Sequence, residues 1–221
     1  MFERDYAEKL RKVVDPLWKR IYRHPFIMDL ESGRLPFIAF KEYILQNDYY
    51  QKEYNRCLAL AAARSPDYNI FTIFAKILSG GIEENNKLVE FAQRIGISMK
   101  ELDSVKPCPG NVAYTSFLFR ACSLGTTGEM AAALCPCAWT YMDLGQRIKE
   151  ALKKNYHLTD QDLKIYEGYS SPEMRQMVQM LKDLISQEAQ RKNQEINRRM
   201  KELFWTASEF EYDFWGLTYR S

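Results

Sequence analysis

The stretch INRRMKELFWTASEFEYDFWGL, residues 196–217, decides the fold class. Within it Ile196, Met200, Leu203, Ala207, Phe210, Phe214 and Leu217 recur at intervals of three and four, which lays them in one stripe along a helix of 3.6 residues per turn. Charged and polar residues fill most of the positions between them, so one face is suited to burial and the other to water. Nowhere does a segment of comparable length alternate with period two, the mark of a half-buried strand.

Working back toward the N-terminus, helix punctuation repeats. Ser171 before Pro172, and Thr159 with Asp162, each open a helix. Thr126 with Glu129 is a capping-box match that opens a small-residue helix, Ala131-Ala132-Ala133, running through Cys135-Pro136-Cys137 toward Lys153. Ser98 with Glu101 is a second such match, for a short helix before Pro107 and Pro109. Ser65-Pro66 starts a helix that carries Phe71, Phe74, Leu78, Leu88 and Phe91 until Gly96 stops it, with the Gly80-Gly81 pair placed to bend it midway. Leu35 before Pro36 opens another, through Phe40, Ile44, Tyr50 and Leu58 to about Arg64. The expected fold is therefore all-α, a helical bundle. No internal repeat, low-complexity tract or composition break divides the chain, so residues 1–221 are expected to form a single domain.

Composition narrows the partners. The chain has 221 residues, 46% hydrophobic and 14% aromatic, enough to bury a substantial core. Its 31 Lys and Arg stand interspersed with 29 Asp and Glu, so no basic stripe advertises nucleic acid or anionic lipid. From Met1 to Lys19 charged and apolar residues mix without the apolar run of a signal peptide, and no later stretch reaches the roughly 20 apolar residues that span a bilayer. A cytoplasmic protein without membrane contact is expected, whose partner is a small molecule or another copy of itself. The five cysteines, Cys57, Cys108, Cys122, Cys135 and Cys137, lack paired zinc-finger spacing and read as reduced thiols, one bridge remaining open only for a hyperthermophilic source. With two histidines, His24 and His157, a His-rich metal centre is not expected.

Four places depart from what a plain bundle needs. In Leu134-Cys135-Pro136-Cys137-Ala138-Trp139-Thr140-Tyr141, Pro136 sits inside its helix, where it removes a hydrogen bond and crowds the carbonyl of Ala132 at roughly 3 kcal/mol. A bend is expected beside Cys137. Cys137 and Tyr141, four apart, share a face and set a thiol beside a phenol; the plain alternative is a small buried hydrophobe. In the last helix Glu211 lies among Phe204, Phe210, Phe214 and Trp215, where desolvation would raise its pKa toward that of a neutral-pH general acid, unless it points to solvent from the edge of the stripe. In Gln46-Asn47-Asp48-Tyr49-Tyr50, Asn47 and Tyr50 share a face and could meet the donor-acceptor edge and the ring of an aminopyrimidine, or simply form a polar helix face. Tyr114 and Tyr169 complete the set; each taken alone reads as a packing residue.

In this order along a helical chain, these places resemble the TenA or thiaminase II family. The likeness runs from His24-Pro25-Phe26 through Phe40-Lys41-Glu42-Tyr43-Ile44-Leu45-Gln46, Tyr114-Thr115-Ser116 and Pro136-Cys137-Ala138-Trp139-Thr140-Tyr141 to Glu211-Tyr212-Asp213-Phe214-Trp215-Gly216. The resemblance implies a haem-oxygenase-like fold without haem, a homotetramer, and a site buried in the bundle. It implies that Cys137 is the nucleophile, Tyr141 its neighbour and Glu211 the acid, and that Tyr50, Tyr114 and Tyr169 line the pyrimidine. One position departs: where the family usually carries an aspartate on the pyrimidine edge, this chain has Asn47, with Asp48 about 100° further round the helix. Either Asn47 substitutes, or a local shift brings Asp48 in.

The activity so implied is hydrolysis of a thiamin-derived aminopyrimidine, in thiamin salvage, with no metal or organic cofactor. Cys137 adds to C6 of the ring, Glu211 protonates the departing substituent, and water yields the hydroxymethylpyrimidine. The implied substrate is 4-amino-5-aminomethyl-2-methylpyrimidine, with thiamin as the alternative. Two rival readings keep the bundle: an oxygen-activating relative of haem-oxygenase or PQQ-biosynthesis type, and a helical protein that binds or senses an aminopyrimidine without turnover.

Overall fold

The computed structural model describes residues 5–217 and 219; the other ends of the expected 1–221 domain lie outside the described residues. Its helices follow in the order α1 (Tyr6–Val13), α2 (Asp15–Ile21), α3 (Pro25–Ser32), α4 (Phe37–Ala63), α5 (Tyr68–Arg94), α6 (Met99–Ser104), α7 (Pro109–Leu124), α8 (Thr127–Tyr156), α9 (Lys164–Tyr169), α10 (Pro172–Ala189) and α11 (Gln194–Trp215). No strand occurs among the described residues, as the periodicity predicts.

Most of the punctuation acts as expected. Thr126 and Glu129 form a reciprocal capping box at the start of α8, and Ser98 and Glu101 form another at α6, each satisfying backbone donors that a helix N-terminus leaves free. Ser171 caps α10 with Pro172 in the first turn. Two starts differ. Asp67, not Ser65, caps α5 by accepting from Ile70 N, so Pro66 stays outside the helix. Thr159 and Asp162 do bond reciprocally, yet they close a turn, and α9 begins only at Lys164. The Gly80-Gly81 pair does not interrupt α5. Gly81 instead admits α4: a Cβ there would lie 2.2 Å from Asn55 Oδ1.

α8 is the axis of the bundle, packed by α10 and α11 along its length and by α3, α7 and α9. From Gly128 through Tyr141 it is buried nearly all round, the pattern of a core helix rather than a surface one. Small residues let its neighbours close in: a Cβ on Gly128 would lie 2.3 Å from Glu188 Cβ and 2.7 Å from Met200 Sδ. α8 stays continuous through Pro136.

The apolar stripe of α11 is turned from its expected line. Met200, Phe204, Ala207, Ser208, Glu211, Phe214 and Trp215 are buried, while Ile196, Leu203 and Phe210 lie at the edge and Leu217 falls beyond the helix end. The rotation admits two polar residues whose bonds are met inside. Ser208 accepts from Trp18 Nε1 at 2.9 Å and donates to the Phe204 carbonyl at 2.8 Å; Glu211 stands behind the cavity described next.

Candidate active site

A narrow cavity opens between α4, α5, α8 and the start of α10. Asn47, Tyr50, Gln51, Tyr54, Asn55 and Leu58 line it from α4, Gly81 and Glu84 from α5, Cys137, Ala138 and Tyr141 from α8, and Met174 and Met177 from α10. The helical spacing of the α4 and α8 residues, three or four apart, brings each set to one face. At Glu84, Met174 and Met177 the cavity adjoins a wider outer groove between α5, α9 and α10.

Four of the seven residues expected at the site therefore line the cavity: Asn47 and Tyr50 from α4, Cys137 and Tyr141 from α8. The other three, Glu211, Tyr114 and Tyr169, lie directly behind it. Tyr114 packs against Tyr50 with ring centroids 5.0 Å apart, and Tyr169 meets Tyr141 edge-on at 5.2 Å. Glu211 is 2% exposed, so it does not point to solvent. Its Oε1 accepts from Tyr114 Oη at 2.6 Å and its Oε2 from Thr140 Oγ1 at 3.0 Å.

Burial drives the electrostatics. It raises the Glu211 carboxyl to about 7, against the pull of hydrogen bonds from Tyr114, Thr140 and the Cys137 thiol. Burial also pushes the Cys137 thiol well above its ordinary value, the charge of Glu211 adds to this, and the nearby Tyr50 hydroxyl works the other way. Cys137 thus remains a thiol near neutral pH, beside a carboxyl poised to exchange a proton. The Tyr50 hydroxyl is buried and makes no well-formed hydrogen bond within the protein, a group that a polar ligand could satisfy. Tyr141 shares a 2.6 Å hydrogen bond with Tyr43.

The choice between Asn47 and Asp48 has a geometric answer. Asn47 faces the cavity. Asp48, fully buried, turns to α5 and its own helix, where Asn85 Nδ2 donates to it at 3.1 Å and Lys52 Nζ pairs with it at 2.7 Å. Neither histidine approaches the cavity walls: His24 Nδ1 caps α3 by accepting from Phe26 N, and His157 ends α8 in the left-handed region. All five cysteines are free thiols, and Cys135 is buried off the cavity.

Sequence reasoning missed Glu84, Tyr43 and Thr140. Glu84 is a carboxylate that lines the cavity itself; burial raises it to about 7, while the Tyr169 hydroxyl and the charge of Lys87 lower it. Gln51 Nε2 donates to its Oε1 at 2.9 Å. No local signal marks it, because its partners come from α4 and α9, far away in sequence.

The family model described as TENA/THI-4/PQQC matches residues 11–221. The chain is 30% identical over 220 residues to a protein of Bacillus subtilis named aminopyrimidine aminohydrolase, an alignment covering 97% of this chain and 90% of that one. Among solved structures it is similar to the TenA homologue from P. horikoshii, with a TM-score of 0.83 at 26% identity over 97% of this chain and 98% of the other. Haem oxygenase-1 from the cyanobacterium Synechocystis, solved with haem, shares the fold at a TM-score of 0.68 and 14% identity, over 96% and 91% of the two chains. The haem-oxygenase-like bundle expected from the sequence is thereby met.

Proposed function

The chain belongs to the TENA/THI-4/PQQC family, and from that premise we propose that it is an aminopyrimidine aminohydrolase of thiamin salvage. It hydrolyses 4-amino-5-aminomethyl-2-methylpyrimidine to the hydroxymethylpyrimidine and ammonia. The observation that carries this reading is the Cys137 thiol on the cavity wall with the Glu211 carboxyl, raised to about 7, behind it. The name carried by the Bacillus subtilis relative supports the same substrate class.

The reaction follows from the two groups. Cys137 is held as a thiol by burial and by the charge of Glu211, so its proton must leave as the sulfur attacks. Glu211 accepts that proton while Sγ bonds to C6, and the C5–C6 π pair moves out to form an exocyclic methylene as the carbon–nitrogen bond breaks. Glu211 returns the proton to the departing amine, which leaves as ammonia. Water then adds to the methylene, the electron pair returns to the ring, and the thiolate is expelled. The proton lost by water passes through Glu211 back to sulfur, which restores the starting state.

Asn47 offers an amide to the ring edge, Tyr50 its ring and orphan hydroxyl. Tyr114 and Tyr169 hold Tyr50 and Tyr141 from behind, and Tyr141 with Tyr43 closes the wall beside Cys137. The chemistry asks for no metal or organic cofactor. The same reading has the enzyme work in the cytoplasm as a homotetramer; no helix among the described residues is long and apolar enough to cross a membrane, and exposed Val112, Phe119 and Leu124 on α7 offer surface to a second copy.

Incubation of the purified protein with the aminomethylpyrimidine should release ammonia in step with the hydroxymethyl product, and incubation with thiamin tests thiazole release in parallel. Absence of ammonia and of thiazole at saturating substrate would overturn the proposal.

A further inference from the structure

The polar groups of the cavity are unevenly spread. Tyr54, Leu58, Ala138, Tyr141, Met174 and Met177 give it largely apolar walls, whereas Asn47, Gln51 and Asn55 of α4 and Glu84 of α5 bring amides and a carboxylate. Asn47 and Gln51 are four apart on α4 and so share a face, and Gln51 Nε2 reaches across to Glu84 Oε1 at 2.9 Å. Glu84 is the one carboxylate that lines the cavity among the described residues.

From this geometry we infer that Glu84 is a specificity-determining residue, which accepts a hydrogen bond from the exocyclic 4-amino group of the pyrimidine while the Asn47 and Gln51 amides meet the ring nitrogen beside it. The inference rests on the aminopyrimidine reading above and names the group that makes the site select an amino ring. An aminopyrimidine edge sets a donor, the amine, next to an acceptor, the ring nitrogen. Asn47 and Gln51 can each give or take a hydrogen bond, so neither alone rejects a ring bearing a carbonyl at position 4. An ionised carboxylate only accepts. It favours the amine and repels a carbonyl oxygen. Gln51 occupies one position on Oε1 and the Tyr169 hydroxyl stands close by, but two carboxylate oxygens offer about four acceptor positions, so capacity remains for the ligand. The carboxylate comes from α5, on the side facing the outer groove, and meets the α4 amides at the same edge of the cavity through Gln51.

The test is binding, measured at pH 8, of the neutral product 4-amino-5-hydroxymethyl-2-methylpyrimidine and of its 4-oxo analogue, so that turnover does not intrude. The wild-type protein should favour the amino ring. In Glu84→Gln the affinity for the amino ring should fall about tenfold, the difference between a charge-assisted and a neutral hydrogen bond, and that for the 4-oxo ring should hold or improve. Glu84→Asp keeps the charge and should retain preference for the amino ring even if both affinities weaken, which guards against a merely structural effect. Equal weakening of both ligands in Glu84→Gln, or no change in either, overturns the inference while leaving the aminopyrimidine reading intact. If the wild-type protein binds neither compound, the aminopyrimidine reading fails and this inference falls with it.

Discussion

Cys135 and Cys137 stand two positions apart on α8, where helix geometry turns them about 200° from each other. Cys137 reaches the cavity and Cys135 is buried away from it. Cys137→Ser should therefore lower turnover by roughly 10³-fold or more, the scale on which loss of a covalent nucleophile acts, while product affinity stays within a few-fold. Cys135→Ser should keep most of its activity. Ammonia release and product binding measured on both variants check the pair, and equal loss in the two would remove Cys137 from its proposed role. The thiol was legible in the sequence because its neighbour Tyr141 lies one turn away on the same helix, and Glu211 because its aromatic neighbours are mostly local. Glu84 was not: it gains meaning only when Gln51 and Tyr169 arrive from other helices. Asn47 and Asp48 were both in view, but which faces the cavity depends on how α4 packs against α5.

At the scale of the element, glycines show the difference between helix propensity and packing. Gly80 is exposed and a Cβ there meets nothing within 4 Å, so Gly80→Ala should stabilise the protein by up to about 1 kcal/mol through the helix preference of alanine. Gly128 lies where α8 crosses α10 and α11, and its Cβ would meet Glu188 Cβ at 2.3 Å, an atom close to the backbone with little freedom to move. Gly128→Ala should cost about 2 kcal/mol, the usual scale of overpacking. Urea denaturation of the two variants reads both signs, and a stabilised Gly128→Ala would mean that the three-helix crossing is looser than described. Helix starts with a reciprocal Ser or Thr and Glu pair were readable in advance. Those capped by Asp67 or Asn193 were not singled out, because a lone Asp or Asn occurs in too many other settings. The stripe of α11 was misplaced for a related reason. Ser208 and Glu211 are polar by composition, and only tertiary partners make them interior.

For the whole molecule, the buried carboxyls tie stability to pH. Glu211 is raised from 4.5 to about 7. Between those values the folded protein holds a proton that the unfolded chain has released, so stability falls as pH rises through this window and levels off above it. The shift corresponds to about 3 kcal/mol at most. Glu211→Gln should lose part of this slope and not all of it, because Glu84 is raised over the same window. Urea midpoints at pH 5 and pH 8 decide: wild-type protein should weaken more across that interval than the variant, and identical losses would mean that Glu211 is ionised freely in the fold. The overall helical class could be read from periodicity alone, but this coupling could not, since it depends on how completely α4, α7, α8 and α11 exclude water from one carboxyl. The same exclusion has an optical side. Trp215 stacks on Tyr141 with centroids 5.5 Å apart and on Tyr43 at 5.1 Å, and its indole nitrogen is buried without a partner. An indole so dry emits at short wavelength, and one of the two rings against it forms the wall of the cavity. The protein thus carries its own fluorophore, one aromatic ring removed from the cavity, and ligand arrival there should be visible as a change in tryptophan emission without any attached dye.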